Sequence, residues 1–321
     1  MIKFVDFKKH VASGAYAFAY AFSGDDEFLV KSAVAMLKKR IDMPELNIST
    51  YDDNAATEAM TAAYSQLPMM SEHRLMIVVV ENRPISDLKR LMEHIRKYPN
   101  PATIVAFDLT GAPPAAAASV EGAEFVDCKR LDKAMVIKWI ASNATARGIR
   151  ISTDAAELLT DYCLGNLTRI DVELDKLADT GEGMIDEERV REFVTPDGDF
   201  KIYELSDALA KKNTDKTYLI YDSLIVSTPP VVIIGALYSH FRRLLYAATG
   251  KFDRDTLARY LRVKPYAMEM AMRQAKMYTP VKLKKTVDKL SEIDFAFKSG
   301  QISDRLALDS FIAEMLSGAT A

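Results

Sequence analysis

Residues 65–81 read SQLPMMSEHRLMIVVVE. Leu75–Val80 is a continuous apolar run of six residues, and Ile77, Val78, Val79 and Val80 in it are β-branched. A short run of that kind is the pattern of a strand buried on both faces, as in a parallel sheet. Ahead of it stand Leu67, Pro68, Met69 and Met70, then the polar Ser71, Glu72, His73 and Arg74. Pro68 is expected to end the helix that carries Ala59–Gln66, because proline removes a backbone donor and clashes with the preceding turn. Two large apolar side chains are thereby left at a helix-to-strand corner, where chains usually turn polar. Two readings stand side by side: both Met fill a gap under the sheet, or they form an exposed apolar plug for a partner's pocket.

Working outward, Ala17–Ser23 is a first buried strand, Gly24–Asp26 a turn, and Glu27–Ile41 a helix with Leu29, Ala33, Leu37 and Ile41 on one stripe. Leu46–Tyr51 is a second strand candidate, and Thr57 is placed as the cap of a helix running to Leu67. Ser86–Lys97 is the next helix, Thr103–Leu109 the fourth strand, Ala115–Val120 a short helix and Glu124–Cys128 a fifth strand. Strand and helix alternate throughout, which argues for a parallel sheet flanked by helices.

After Cys128 the pattern turns helical. Lys133–Arg147 places Met135, Val136, Trp139 and Ile140 inward and closes at Gly148. Ser152 or Thr153 caps the next helix. Leu167–Ala178 carries Ile170, Leu174 and Leu177 on one stripe, and Asp186 caps Glu187–Val194. Thr195–Asp199, TPDGD, is the best linker signal. Beyond it, helices are expected over 202–212, 215–226, 230–249, 254–261, 265–277, 280–299 and 303–316. Pro230–Leu237 is apolar on all sides, which places it at the centre of this region. In the 280–299 helix, Leu283, Val287, Leu290 and Phe297 form an inward seam.

Composition bounds the function. The chain has 321 residues, a net charge of −3, 49% hydrophobic and 27% charged residues, as in globular proteins of two or three domains. Two cysteines, Cys128 and Cys163, cannot build a disulfide framework or a four-cysteine zinc site, and read as reduced core residues of a cytoplasmic protein. The opening MIKFVDFKKHV lacks the apolar core of a signal peptide. The longest apolar run, Pro229–Tyr238, is too short to span a bilayer. The net charge gives no whole-molecule attraction to nucleic acid.

A strand, turn and helix at Ala17–Lys38 is where a phosphate-binding loop would sit. Such a loop needs GxxxxGK[ST], with glycines that let backbone N–H groups cradle phosphate and a Lys that reaches it. Here the turn is Ser23-Gly24-Asp25-Asp26-Glu27, with one Gly, no Lys at the required place and three carboxylates. Those acids suit the positive end of a helix dipole and repel a triphosphate. His10, His73, His94 and His240 are scattered, with no metal-ligand spacing, and no nucleophile elbow or Cys-His arrangement is present. Asp171 and Asp175 share a helix face while Glu173 points elsewhere, so the three read as solvated. Arg242-Arg243 and Lys282/Lys284/Lys285 are basic clusters that read as solvated surface or subunit contact.

Several blocks together resemble the delta subunit of the bacterial DNA polymerase III clamp loader. They are Gly24-Asp25-Asp26-Glu27-Phe28-Leu29, Leu67-Pro68-Met69-Met70…Arg74-Leu75 before the valine-rich strand, and Asn166-Leu167…Glu173-Leu174-Asp175-Lys176-Leu177. Tyr203-Glu204-Leu205-Ser206-Asp207-Ala208-Leu209, Phe241-Arg242-Arg243-Leu244-Leu245 and Lys298-Ser299-Gly300 follow in order, so the resemblance spans nearly the whole chain. It implies an α/β plus all-α fold: an AAA+-like parallel-sheet core (1–128) without a phosphate-binding loop, a small helical lid (129–195) and an all-α collar (196–321). Family members bind and help open the ring-shaped sliding clamp through the first domain, and hold the motor and delta-prime subunits through the collar. They have no ATPase activity of their own and meet DNA only within the complex, with no membrane contact.

The resemblance puts the clamp contact at Leu67, Pro68, Met69 and Met70; Met69 and Met70 stand where the family usually has leucine or phenylalanine. It implies no catalytic residue, cofactor or metal. The motor and delta-prime relatives typically carry a four-cysteine zinc site and a Ser-Arg-Cys motif. Both are missing here, since Cys128 follows Asp127, which favours delta. The alternatives are an active AAA+ ATPase and a stand-alone DNA-binding helical scaffold. With Asp25, Asp26 and Glu27 at the phosphate position, the purified chain is expected neither to bind nor to hydrolyse ATP. Calorimetry checks this, and micromolar ATP affinity would refute it.

Overall fold

The β-branched run becomes a strand with partners on both sides. The structure is a computed structural model that describes residues 1–181 and 183–317, and the chain divides after Asp132 into two units. In the first unit the order is β1 (Ile2–Lys3), α1 (Phe4–Ala12), β2 (Ala19–Ser23), α2 (Glu27–Lys38), α3 (Pro44–Asn47) and β3 (Ile48–Tyr51). It continues with α4 (Thr57–Tyr64), β4 (Arg74–Val79), α5 (Ile85–Lys97), β5 (Thr103–Asp108), α6 (Pro114–Ser119) and β6 (Glu124–Asp127). Among the described residues these strands form one six-stranded sheet in the order β1-β6-β2-β5-β4-β3, with every pairing parallel. β4 pairs with β5 in the register Leu75↔Ile104 and with β3 in the register Ile48↔Leu75.

Alternation along the strands feeds two cores. Met76, Val78, Val105 and Phe107 meet Met60, Tyr64, Leu88, Leu91 and Ile95 of α4 and α5. On the other face Phe7 of α1 packs edge-on to both Tyr20 and Phe22, with ring centroids 5.4 Å apart in each case. Edge-to-face pairs of this kind add about 0.5–1.5 kcal/mol beyond area burial. β1 and α1 lie outside the sequence expectations. A two-residue strand has no readable period, although Phe4, Phe7 and Val11 do mark one helix face.

Other expectations are corrected in detail. Thr57 is not the cap of α4; Ala56 holds that place and Thr57 is buried at the first helical position. The helix stops at Tyr64, short of Leu67. Of the polar residues Ser71–Arg74, Arg74 opens β4, is buried, and donates from Nη1 to Gln66 Oε1 at 2.8 Å.

From Lys133 onward come α7 (Lys133–Ala146), β7 (Arg150–Ile151), α8 (Thr153–Tyr162), α9 (Leu167–Asp179), β8 (Met184–Ile185) and α10 (Glu187–Phe193). Then follow α11 (Gly198–Ala210), α12 (Thr214–Ser227), α13 (Pro230–Ala248), α14 (Arg254–Leu261), α15 (Pro265–Ala275), α16 (Pro280–Lys298) and α17 (Asp304–Ser317). α11–α17 share one core around Leu205, Ile234, Leu237, Phe241, Leu244, Leu283, Leu290 and Phe311. α8 and α15 are joined where Tyr266 donates to Asp161, which also takes Lys133 Nζ at 2.9 Å. The Tyr266 ring lies against Gly165, where a Cβ would meet the ring at 2.9 Å and where φ is +64, in the left-handed region that favours glycine.

The TPDGD stretch is tied down from both sides. Asp197 caps α11, and its Oδ2 pairs with Arg169 at 3.5 Å and Lys264 at 3.0 Å. Asp199 pairs with Arg243 at 2.9 Å. Arg243 is therefore buried rather than part of a solvated basic surface, and Arg242 alone of that pair is exposed. Asp171 and Asp175 are not simply solvated either, because both converge on Arg147, at 2.8 and 2.7 Å. Glu173 is buried and pairs with Lys176. α13 is apolar all round in its first two turns, but Ile233, Ile234 and Leu237 are buried in the core while Val231 and Val232 are exposed.

His240 is buried in this core, with Nε2 2.7 Å from Gln274 Oε1. Burial, and then the Arg243 charge, lower its pKa from 6.5 to about 4, while the Gln274 hydrogen bond opposes the shift. The unfolded chain therefore takes up a proton that the native chain refuses. His240's contribution is complete above the unfolded pKa and is lost as pH falls from about 6.5 toward about 4, on the order of 3 kcal/mol in all. Urea midpoints at about pH 7 and about pH 4.5 should drop less for His240→Gln than for the parent chain.

Candidate functional site

The corner between α4 and β4 carries Leu67, Pro68, Met69 and Met70. Leu67 is 75% exposed, Met69 58% and Met70 83%, with Pro68 half-buried. These side chains stay out of the sheet, and the gap under β4 is filled instead by Met60, Tyr64 and Met76. Three large exposed apolar side chains within four residues form an unusual surface feature in a chain whose strands are otherwise covered.

The corner has a fixed shape. Met70 has φ +54, in the left-handed region, which costs an L-residue about 1–2 kcal/mol. Before it, Met69 is held by a buried side chain from another element. Asn47, at the end of α3, donates from Nδ2 to Met69 O at 2.8 Å and accepts Met69 N–H at Oδ1, also at 2.8 Å. The same Nδ2 lies 2.9 Å from Asp42 O and 3.3 Å from Met43 O. The Met69 N–H requires an acceptor, which fixes the orientation of the amide. After Met70, Ser71 Oγ donates to His73 O at 2.8 Å, and the His73 ring meets Tyr16 edge-on at 5.2 Å. Met43 and Leu46, on the turn that carries Asn47, are exposed as well.

Sequence reading places the four corner residues but misses Asn47, Met43 and Leu46. Asn47 lay inside an expected strand, and a contact 22 residues away in sequence leaves no local signal. The structure brings Asn47 to the corner because β3 and β4 are neighbours in the sheet.

The turn at the start of α2 is closed by the chain itself. Asp26 caps the helix and accepts Phe28 N–H at 3.1 Å and Leu29 N–H at 3.4 Å, so donors a phosphate would use are taken. Burial raises the Asp26 pKa, against the opposing pull of those N–H groups. Asp25 Oδ1 accepts Arg130 N–H at 2.8 Å, and Glu27 pairs with Lys31. Cys128 donates its N–H to Ser23 O at 2.9 Å, and Asp26 N–H reaches Cys128 O at 3.4 Å. The Cys128 and Cys163 thiols are both pushed up to about 12, mainly by burial, so neither is a ready thiolate. Among the described residues, no group of three or more His, Cys, Asp and Glu side chains could hold a metal ion. No helix among them is long and apolar enough to cross a membrane.

With this geometry in place, comparison with known proteins is specific. Residues 199–315 match the family described as DNA polymerase III delta subunit, C-terminal domain. DNA polymerase III subunit delta of Bacillus subtilis is 24% identical over 341 aligned positions, which cover 97% of this chain and 96% of that protein. The solved structure of the Bacillus subtilis DNA clamp loader delta protein superposes with a TM-score of 0.71 at 21% identity. That superposition covers 98% of this chain and 99% of the other. The fold likeness takes in both the parallel sheet and the helical C-terminal region.

The closed turn yields a stability test. A Cβ at Gly24 would overlap the Cys128 carbonyl and the Lys129 nitrogen, which are backbone atoms with no freedom to swing aside. Gly24→Ala should lower unfolding stability by about 1–3 kcal/mol. A urea midpoint unchanged from the parent chain would contradict this account of the turn.

Proposed function

We propose, from the match to the DNA polymerase III delta subunit, that the chain is a delta-type clamp-loader subunit that binds the ring-shaped sliding clamp through Leu67, Pro68, Met69 and Met70 and helps to open the ring. Its place is in the clamp loader, as a component of the polymerase complex. The observation that carries the proposal is the exposed apolar corner on a rigid frame. A small central set of apolar residues commonly dominates an interface, and unbranched Met fits pockets of irregular shape. Opening then needs no chemistry in this chain. If the corner binds an open or sprung clamp edge more tightly than a closed one, the difference in contact energy shifts the ring toward opening.

The chain works without ATP hydrolysis of its own in this proposal. Support comes from Asp26 occupying the N–H groups at the start of α2 and from Cys128 backbone packed against Gly24. Its three working parts are the sheet domain (1–128), the lid (129–195) and the collar (196–321). The collar joins the motor and delta-prime subunits. Exposed apolar side chains on α12 and α13 support this: Val226 is 89% exposed, Leu219 74%, and Val231 and Val232 are exposed as well. DNA is met within the complex, in keeping with the net charge of −3.

Truncating Met69 and Met70 together to Ala should weaken clamp binding by about 2–4 kcal/mol, or roughly 30- to 1000-fold. The melting temperature should change little, since both side chains lie outside the core. Had they been core residues, each truncation would cost about 2–5 kcal/mol of stability. Clamp affinity and thermal melting on the same double variant distinguish the cases, and unchanged clamp binding contradicts the proposal.

A further inference from the structure

We infer that Asn47 is a positioning residue for clamp binding: its buried side-chain amide pairs with both backbone groups of Met69 and holds the apolar corner in its binding shape. The inference rests on the proposed clamp contact at Leu67–Met70 and adds to it the residue that presents that contact.

Asn47 is fully buried, yet it sits at the surface end of the sheet, directly before β3. Its amide does for Met69 what a neighbouring strand would do, giving one acceptor and one donor at 2.8 Å each. The corner lies outside the helix and strand ladders on either side, and no other hydrogen bond to the Met69 backbone is present among the described residues. Because Nδ2 also reaches Asp42 O and Met43 O, the amide itself cannot turn away. Met70 follows in a left-handed conformation, so the direction of its side chain depends on where Met69 is held.

An equivalent side-chain clip closes the other end of the same two strands. There Asp53, just after β3, accepts Glu81 N–H at 3.2 Å and Asn82 N–H at 2.6 Å. The two clips differ in what they hold: the Asp53 clip secures polar residues, whereas the Asn47 clip secures the exposed apolar pair. A loop held in its bound shape loses less freedom on binding, so pre-organisation raises affinity without any direct contact.

The test is a cycle of variants in the full chain: Asn47→Ala, Met69→Ala/Met70→Ala, all three together, and Asp53→Ala as a control for loss of a clip. Affinity for the cognate sliding clamp and hydrogen exchange at the Met69 amide are measured for each. Asn47→Ala is expected to weaken clamp binding about tenfold and to speed Met69 exchange. Asp53→Ala should leave both unchanged. In the background lacking both Met side chains, Asn47→Ala should cause a clearly smaller loss, because only Leu67 and Pro68 of the contact are left to position.

If Asn47→Ala fails to fold, Asn47→Asp is read instead. It keeps the volume and the acceptor but sets a carboxylate oxygen against three carbonyls, so the same weakening is expected. Clamp binding by the Asn47 variant equal to that of Asp53→Ala overturns the inference. An equal loss from the Asn47 change with and without the Met side chains overturns it too. Normal clamp binding by Met69→Ala/Met70→Ala alone is a different result, and it removes the underlying clamp contact.

Discussion

Parallel pairing on both sides of β4 is the constraint from which the exposed corner follows. Leu75 is in register with Ile48 on one side and Ile104 on the other. Parallel neighbours start at the same end of a sheet, so the chain leaving α4 must travel to that end before it can enter β4. The segment from Ser65 to His73 makes this journey outside both ladders. Its shape is therefore set by side chains: Arg74 reaching back to Gln66, Asn47 holding Met69, and Ser71 closing on His73. Apolar residues on such a segment have no core to enter, because α4 and α5 already cover that face of the sheet.

The same sheet also fixes the turn at the start of α2. In the phosphate-binding arrangement, a glycine-rich turn leaves N–H groups free at the start of a helix. Here the equivalent turn is drawn onto the chain just after β6. Gly24 sits against Cys128, Asp25 holds the Arg130 N–H, and Asp26 takes two helix N–H groups. Three carboxylates that would repel a triphosphate become structural groups, each with a partner.

Much of this was legible in the sequence. Short apolar runs marked β2, β4 and β5, and alternation with amphipathic helices pointed to the parallel sheet. Asp25, Asp26 and Glu27 could be read as capping acids, because helix-end electrostatics are local. Partnerships across the fold could not. Asn47 looked like one residue of a strand, Arg243 like half of a basic surface pair, and Asp171 and Asp175 like solvated acids. Each is defined by a partner 22 to 44 residues away: Met69, Asp199 and Arg147. β1 was missed because two residues carry no period, and the exposed side of Pro230–Leu237 was missed because composition does not record which face is covered.

The most direct test of the central claim is a hydrogen-exchange footprint of the full chain with and without the cognate sliding clamp. The account predicts new protection over residues 65–73 and the adjoining Met43–Asn47 turn. Exchange in β4, β5 and the helices beyond Lys133 should be unchanged. Protection confined to the helical region, or none at the corner under saturating clamp, would contradict it.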